Sequence, residues 1–121
     1  MAKQHQFSEG VYTGGLNKDG QRHGKGEMFY ERSKETYIGD WVNDMRWGKG
    51  KVTHPDKGTI YEGDFKEDSF HGEGVFENHE LILKGEFVTN TPMGYGECTY
   101  KKDGSVYQGM WMNGRRRDQS K

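Results

Sequence analysis

Residues 37–50 read YIGDWVNDMRWGKG, and this stretch decides the fold. Tyr37, Gly39 and Trp41 alternate with Ile38 and Asp40. A strand sends successive side chains to opposite faces, so both rings and the glycine share one face. After an interval that suits a tight turn, Gly48 and Gly50 resume the two-residue rhythm. The period is two and not the 3.6 of a helix, so the stretch reads as a β-hairpin.

Working outward, the pattern recurs. Tyr12-Thr-Gly14, Tyr61-Glu-Gly63, Leu83-Lys-Gly85 and Tyr107-Gln-Gly109 open like Tyr37-Ile-Gly39. Units therefore start at 12, 37, 61, 83 and 107, a period of 22 to 25 residues, which is two short strands and two turns. Leu16, Phe65, Phe87 and Trp111 stand where Trp41 stands, and Gly24-Lys-Gly26, Gly72-Glu-Gly74 and Gly94-Tyr-Gly96 match Gly48-Lys-Gly50. Unit five stops before that signature. Met28, Val52, Phe76 and Cys98 join the aromatic face, while Asp40, Glu62, Asp64, Lys66, Lys84 and Glu86 fall on the other.

The glycines have a physical reading. A flat ring from a neighbouring strand lies across a residue with no side chain, so one open layer buries its rings without a second layer. Seven residues after each start stand Asp44, Asp68, Asn90 and Gly114, residue types that tolerate a left-handed backbone, which predicts one positive-φ position per hairpin. Asp56-Lys-Gly58 and Asp103-Gly104 are turn formers between units.

The prediction is an all-β fold, an elongated single-layer antiparallel sheet of tandem β-hairpin repeats. Four hairpins and a final strand make nine strands, about 40 Å of sheet at ~4.8 Å each. Residues 1–10 read as a lead-in, 11–114 as the array and 115–121 as a basic tail. The open ends and the incomplete fifth hairpin predict edge-strand pairing or a homodimer.

Composition narrows the function. Apolar residues are only 30% against 31% charged, but 13% aromatics and 19 glycines against two prolines favour folding around a thin core. A net charge of −1 disfavours nucleic acid as a partner. No stretch approaches the ~20 apolar residues of a membrane helix. The polar start and the single Cys98, which cannot form an internal disulfide, predict a reducing, cytoplasmic setting.

The sequence offers no catalytic constellation, cofactor motif or metal-ligand spacing. His5, His23, His54, His71 and His79 lack paired spacing, and His23 and His71 fall where Trp47 and Met93 stand, which marks a wall position that accepts bulk. Four Gly-x-Gly copies without a following helix are not a phosphate loop. Cys98, in the register of Met28, reads as a core thiol.

Tyr-x-Gly-x-Trp followed by Gly-x-Gly, as in Tyr37–Trp41 with Gly48–Gly50 and Tyr61–Phe65 with His71–Gly74, resembles the MORN (membrane occupation and recognition nexus) repeat family over roughly residues 11–115. Leu83 for tyrosine, Leu16 for tryptophan and the truncated fifth unit depart from it. The resemblance implies a curved or twisted sheet whose aromatic groove takes up a helix or an extended peptide. It also implies a non-enzymatic scaffold or adaptor in a cytoskeletal or ciliary, axonemal assembly. On this reading the groove comprises Tyr12, Tyr37, Trp41, Tyr61, Phe65, Phe87, Tyr107 and Trp111. The alternative is a peripheral module for anionic phospholipid using Arg115, Arg116 and Arg117 with Lys101, Lys102 and Lys121; the three arginines read either as a contact for an acidic partner or lipid or as charges that discourage edge pairing.

If rings roof the glycines, Gly63→Val and Gly85→Val each lower the Tm, whereas Lys51→Ala on the charged face leaves it nearly in place. Unchanged melts for both glycine variants would contradict the roofing.

Overall fold

The computed structural model describes residues 3–118. Alternating ring–glycine segments become strands in chain order: β1 (Gln4–Phe7), β2 (Gly10–Leu16), β3 (Arg22–Tyr30), β4 (Thr36–Val42), β5 (Met45–His54), β6 (Thr59–Lys66), β7 (Ser69–Glu77), β8 (Leu81–Val88), β9 (Thr91–Tyr100), β10 (Val106–Met112) and β11 (Arg115–Arg116). Each pairs antiparallel with its sequence neighbours in a single sheet, so nearly all contacts are local, as in other repeat arrays.

Two boundaries move. The lead-in is not outside the sheet, because Gln4–Phe7 pairs with Gly10–Thr13 and sets the Phe7 ring edge-on to Tyr12 at 6.0 Å. The fifth hairpin is not without its second strand either, since Arg115 and Arg116 pair with Met112 and Trp111. The described sheet has eleven strands, not nine, and each extra strand covers a ring of the terminal unit.

Register is set by one line of residues. Gly14 faces Gly26, Gly26 faces Gly39, and the line continues through Gly50, Gly63, Gly74, Gly85 and Gly96 to Gly109, one glycine from every strand from β2 to β10. Tyrosine rings lie over this line. A Cβ on Gly26, Gly50 or Gly74 would come within 2.1, 2.3 or 2.2 Å of the hydroxyl of Tyr12, Tyr37 or Tyr61 on the preceding strand. Gly63 is limited first by the facing backbone, with the Glu73 carbonyl and the Gly74 Cα each 2.4 Å from a Cβ there, and Gly85 meets backbone alone at 2.9 Å. Roofing by rings thus explains the second glycine of each pair; close backbone approach explains its partner across the strand.

The first glycine of Gly-x-Gly has a different cause. Gly24, Gly48 and Gly94 have φ of 84°, 86° and 84°, where β-carbons crowd the backbone. Here the hairpin bulges: Gly39 faces Gly50 but Trp41 faces Arg46, so Asp40 alone lies opposite three residues. The Asp40 carboxylate fills the bulge, accepting from the Lys49 N–H at 3.0 Å, and Asp64 repeats this with Glu73 at 2.9 Å.

The first hairpin turn has the one left-handed residue expected, Gly20, but the other four have two consecutive ones: Asn43 and Asp44, Glu67 and Asp68, Thr89 and Asn90, Asn113 and Gly114. This is the turn whose twist matches the flanking strands. The second residue also clasps the preceding unit. The Asp44, Asp68 and Asn90 side chains accept from the backbone N–H groups of Arg22, Arg46 and Phe70 at 2.7, 2.8 and 2.9 Å, and their own N–H groups donate back to the carbonyls of those residues. In the last turn the facing residue is Pro92, which has no N–H to offer, and Gly114 stands there with only the return bond, 3.0 Å to the Pro92 carbonyl.

Asp68→Gly keeps the turn's backbone freedom but removes the acceptor, and lowers stability in urea unfolding by about 1–2 kcal/mol. Asp68→Asn, the residue type at 90, retains most of it. Equal losses in the two variants would show that the clasp contributes nothing.

Candidate functional site

The rings on the aromatic face interlock edge to face. Tyr12 meets Trp41 at 5.5 Å, Trp41 meets Tyr37 at 5.1 Å, and the column runs through Phe65 and Tyr61 to Phe87 at 5.0–5.2 Å. Tyr107 and Trp111 form a separate pair at 5.9 Å. Of the residues expected to line an open groove, Tyr12, Tyr37, Trp41, Tyr61, Phe65, Phe87 and Trp111 are instead buried, and only Tyr107 stays partly exposed. They are the core of the sheet. With no second layer behind them, the rings lean along the sheet onto one another and fill the groove that strand alternation alone would leave open.

The tyrosines also do polar work. The Tyr12, Tyr37 and Tyr61 hydroxyls donate at 2.8 Å to the carbonyls of the bulge residues Gly15, Asp40 and Asp64, and Tyr107 donates to the equivalent Met110 carbonyl at 3.0 Å. Burial, reinforced by the charge of Asp40 or Asp64, pushes the Tyr37 and Tyr61 hydroxyls far above the ordinary tyrosine range. They remain donors at every physiological pH.

Sequence reading missed a row of residues over this core. Arg22, Arg46, Phe70, Pro92 and Arg116 occupy one position in successive units. The Arg22 guanidinium lies 4.8 Å from the Trp41 ring centre, Arg46 lies 5.6 Å from Tyr37, Phe70 stacks on Tyr61 at 3.8 Å, and Arg116 lies 4.1 Å from Tyr107. An arginine two places after the turn in three of the five units, facing the rings, was the available signal. The histidine wall is also more specific than bulk alone, because His23 and His71 accept from the next turn's Asn43 and Thr89 N–H groups through Nδ1 at 3.2 and 3.3 Å.

Unit four breaks both rows at once. Leu83 replaces the tyrosine, so the ring column stops between Phe87 and Trp111, and Pro92 replaces the covering arginine. An apolar cleft of about 250 Å³ opens there, walled by Phe70, Phe76, Leu81, Leu83, Phe87, Pro92 and Trp111. The Trp111 indole Nε1 is buried without an acceptor among the described residues, whereas Trp41 Nε1 donates to the Gly26 carbonyl at 3.2 Å. An unpaired buried donor costs free energy. Cys98 is buried as expected, and burial pushes its thiol up.

The basic tail is not a free cluster. Arg116 is held by Asp118 at 2.5 Å and by the Tyr100 hydroxyl at 3.0 Å, and Lys101 by Glu77 at 2.7 Å. Arg115, Arg117 and Lys102 are exposed, and Lys121 lies outside the described residues.

On the opposite face partial burial pushes the carboxyls of Asp40 and Asp64 up. The ammonium groups of Lys25 and Lys49 and the N–H bonds at the bulges outweigh it and hold both below the usual carboxylate range. A carboxyl depressed by folding stabilises the fold above its unfolded value, near 3.9, and that contribution disappears as pH falls through the folded value. Asp40→Asn/Asp64→Asn therefore lowers stability at neutral pH and flattens the loss of stability below about pH 4 in urea unfolding. An acid slope matching the parent's would exclude these two carboxylates as its source.

The MORN repeat family model matches residues 18–31, 37–59, 61–78, 84–105 and 107–117. The chain is 34% identical to MORN repeat-containing protein 3 of Xenopus laevis over 56% of its length, and 25% identical to mouse and human Alsin over 88%. It spans 28% of the former protein and 7% of the latter. Repeats of this kind make protein-interaction or membrane-associated modules and are generally non-enzymatic. The matched segments contain the facing-glycine line from Gly26 to Gly109 and the roofing Tyr37 and Tyr61, and this chain belongs to the MORN-repeat family.

Proposed function

We propose that this chain is a non-enzymatic scaffold that binds a segment of a partner protein along its aromatic face, anchored in the cleft of unit four. The observation that carries this reading is the coincidence at one place of a broken ring column, a missing arginine cover and the unpaired Trp111 Nε1. An apolar side chain of a helix or extended peptide fills the cleft. Elsewhere the partner meets the outer edges of the covering residues, since the column rings are already packed against one another. The setting we propose is cytoplasmic, in a cytoskeletal or ciliary assembly, in line with the family. The open β10 edge at Val106–Gly109 offers a further contact by strand pairing.

Attachment to anionic phospholipid is the rival reading, and it rests on fewer charges than the arginine run promised. Arg115, Arg117 and Lys102 are available, and three cations give only weak, strongly screened binding.

The test uses the repeat's own solution to close the cleft. Leu83→Tyr/Pro92→Arg restores the residue types of units two and five and leaves circular dichroism and Tm at or above the parent's. Used beside the parent as bait in cell extract, it fails to retain the partner. Identical recoveries would remove the cleft from the mechanism. Sedimentation of the parent with anionic vesicles at low salt, lost at high salt and abolished by Arg115→Ser/Arg117→Ser, would instead establish the lipid reading.

A further inference from the structure

The face opposite the rings carries its own series. At the equivalent cross-strand position between successive units, Lys25 faces Asp40, Lys49 faces Asp64, Glu73 faces Glu86, and Tyr95 faces Met110. The first two pairs are ion pairs, which is how a solvated sheet face is ordinarily finished. The third sets two like charges directly opposite, an unfavourable arrangement on an antiparallel sheet. The fourth exposes a tyrosine and a methionine: Tyr95 is 59% and Met110 45% accessible, and Met112, two residues further on the same face, is 52%. Glu73, Glu86 and Glu97 share a shallow depression with Tyr95, floored by Gly85 and Gly96, and Lys84 is the single cation in its wall. A depression on the same face between units two and three, around Gly50 and Gly63, is walled by Lys49, Lys51, Glu62 and Ile38 and is not acidic.

We propose that the outer face of β7–β10 is a second docking surface, separate from the aromatic face, whose occupant is a basic amphipathic segment of a partner protein. The chemistry on both sides specifies that occupant. Tyr95, Met110 and Met112 present an adaptable apolar patch, since methionine accommodates varied side chains and tyrosine gives large contact area at low entropic cost. The acidic rim demands Lys or Arg flanking the apolar anchors, and such cations relieve the Glu73–Glu86 repulsion that the free sheet carries. An acidic partner is repelled by the same rim, and a purely basic one leaves the apolar patch uncovered. Two ligand surfaces on opposite faces of one sheet let a single chain bridge two partners.

The experiment uses the full chain and a fluorescein-labelled 18-residue peptide of leucine and lysine patterned as an amphipathic helix. Its control has the same lysines with serine in place of leucine. Anisotropy titrations show the leucine peptide bound, with affinity falling as salt rises, and the control bound at least about tenfold more weakly. Tyr95→Lys/Met110→Asp installs the ion pair of the earlier units, keeps the Tm, and weakens the leucine peptide by about tenfold or more, whereas the cleft variant Leu83→Tyr/Pro92→Arg binds it as the parent does. Absence of binding by the parent would overturn the proposal. So would equal binding of the control peptide, or equal binding by the Tyr95→Lys/Met110→Asp chain. Loss only in the cleft variant would place the peptide on the aromatic face and equally overturn it, while leaving the proposed cleft in force.

Discussion

A glycine facing a glycine, with a tyrosine ring laid over one of them, is the contact on which this sheet depends. The absence of side chains along the line from Gly14 to Gly109 lets rings lie flat enough to exclude water from a single layer. The ring then fixes its own strand, because its hydroxyl must reach the carbonyl three residues on, and that carbonyl faces the ring only where the strand bulges. The bulge in turn takes a left-handed glycine, and in units two and three a carboxylate fills it. Each element of the repeat is therefore the condition for another. That interdependence explains how a chain with 30% apolar residues orders eleven strands.

The proposed function follows from where the repeat is broken. Three departures cluster toward the C-terminal half: Leu83 and Pro92 open the aromatic face, and Glu73–Glu86 followed by Tyr95–Met110 replaces the ionic finish of the outer face. Units two and three, by contrast, are closed on the ring side by Arg46 and Phe70 and neutralised on the other by lysine–aspartate pairs. The regular units are finished on both faces, and the irregular ones carry the two surfaces proposed for partners.

Much of this architecture was legible in the sequence because ring, glycine and charge alternate at period two and then recur within 25 residues. Strand order, the two faces, the left-handed turn positions and the buried thiol all follow from that alternation. What escaped was whatever depends on contact between units. Gln4–Phe7 and Arg115–Arg116 are too short to show a period, and only Tyr12, Trp111 and Tyr107 give them something to cover. Asp44 and Asp68 look like turn residues alone until register sets them against the N–H groups of Arg22 and Arg46. The groove was misjudged for the same reason: alternation says which face a ring occupies, but not that rings of adjacent units lean together and close it. Leu83 was visible as a departure, yet the cleft needed Pro92 as well, and the arginine row that gives Pro92 its meaning appears only when guanidinium groups are seen above rings.

The dependence of glycine on ring is measurable as a coupling. At Gly50, as at Gly26 and Gly74, the three atoms nearest a would-be Cβ all belong to one tyrosine side chain, here Tyr37. Urea unfolding of the parent, Gly50→Ala, Tyr37→Leu and the double variant closes a double-mutant cycle. Gly50→Ala should cost much less once leucine, the residue type at position 83, has replaced the ring, with a coupling of about 1–3 kcal/mol. Additive losses would mean that the glycine is not there for the ring, and the constraint assigned to the whole line would fall.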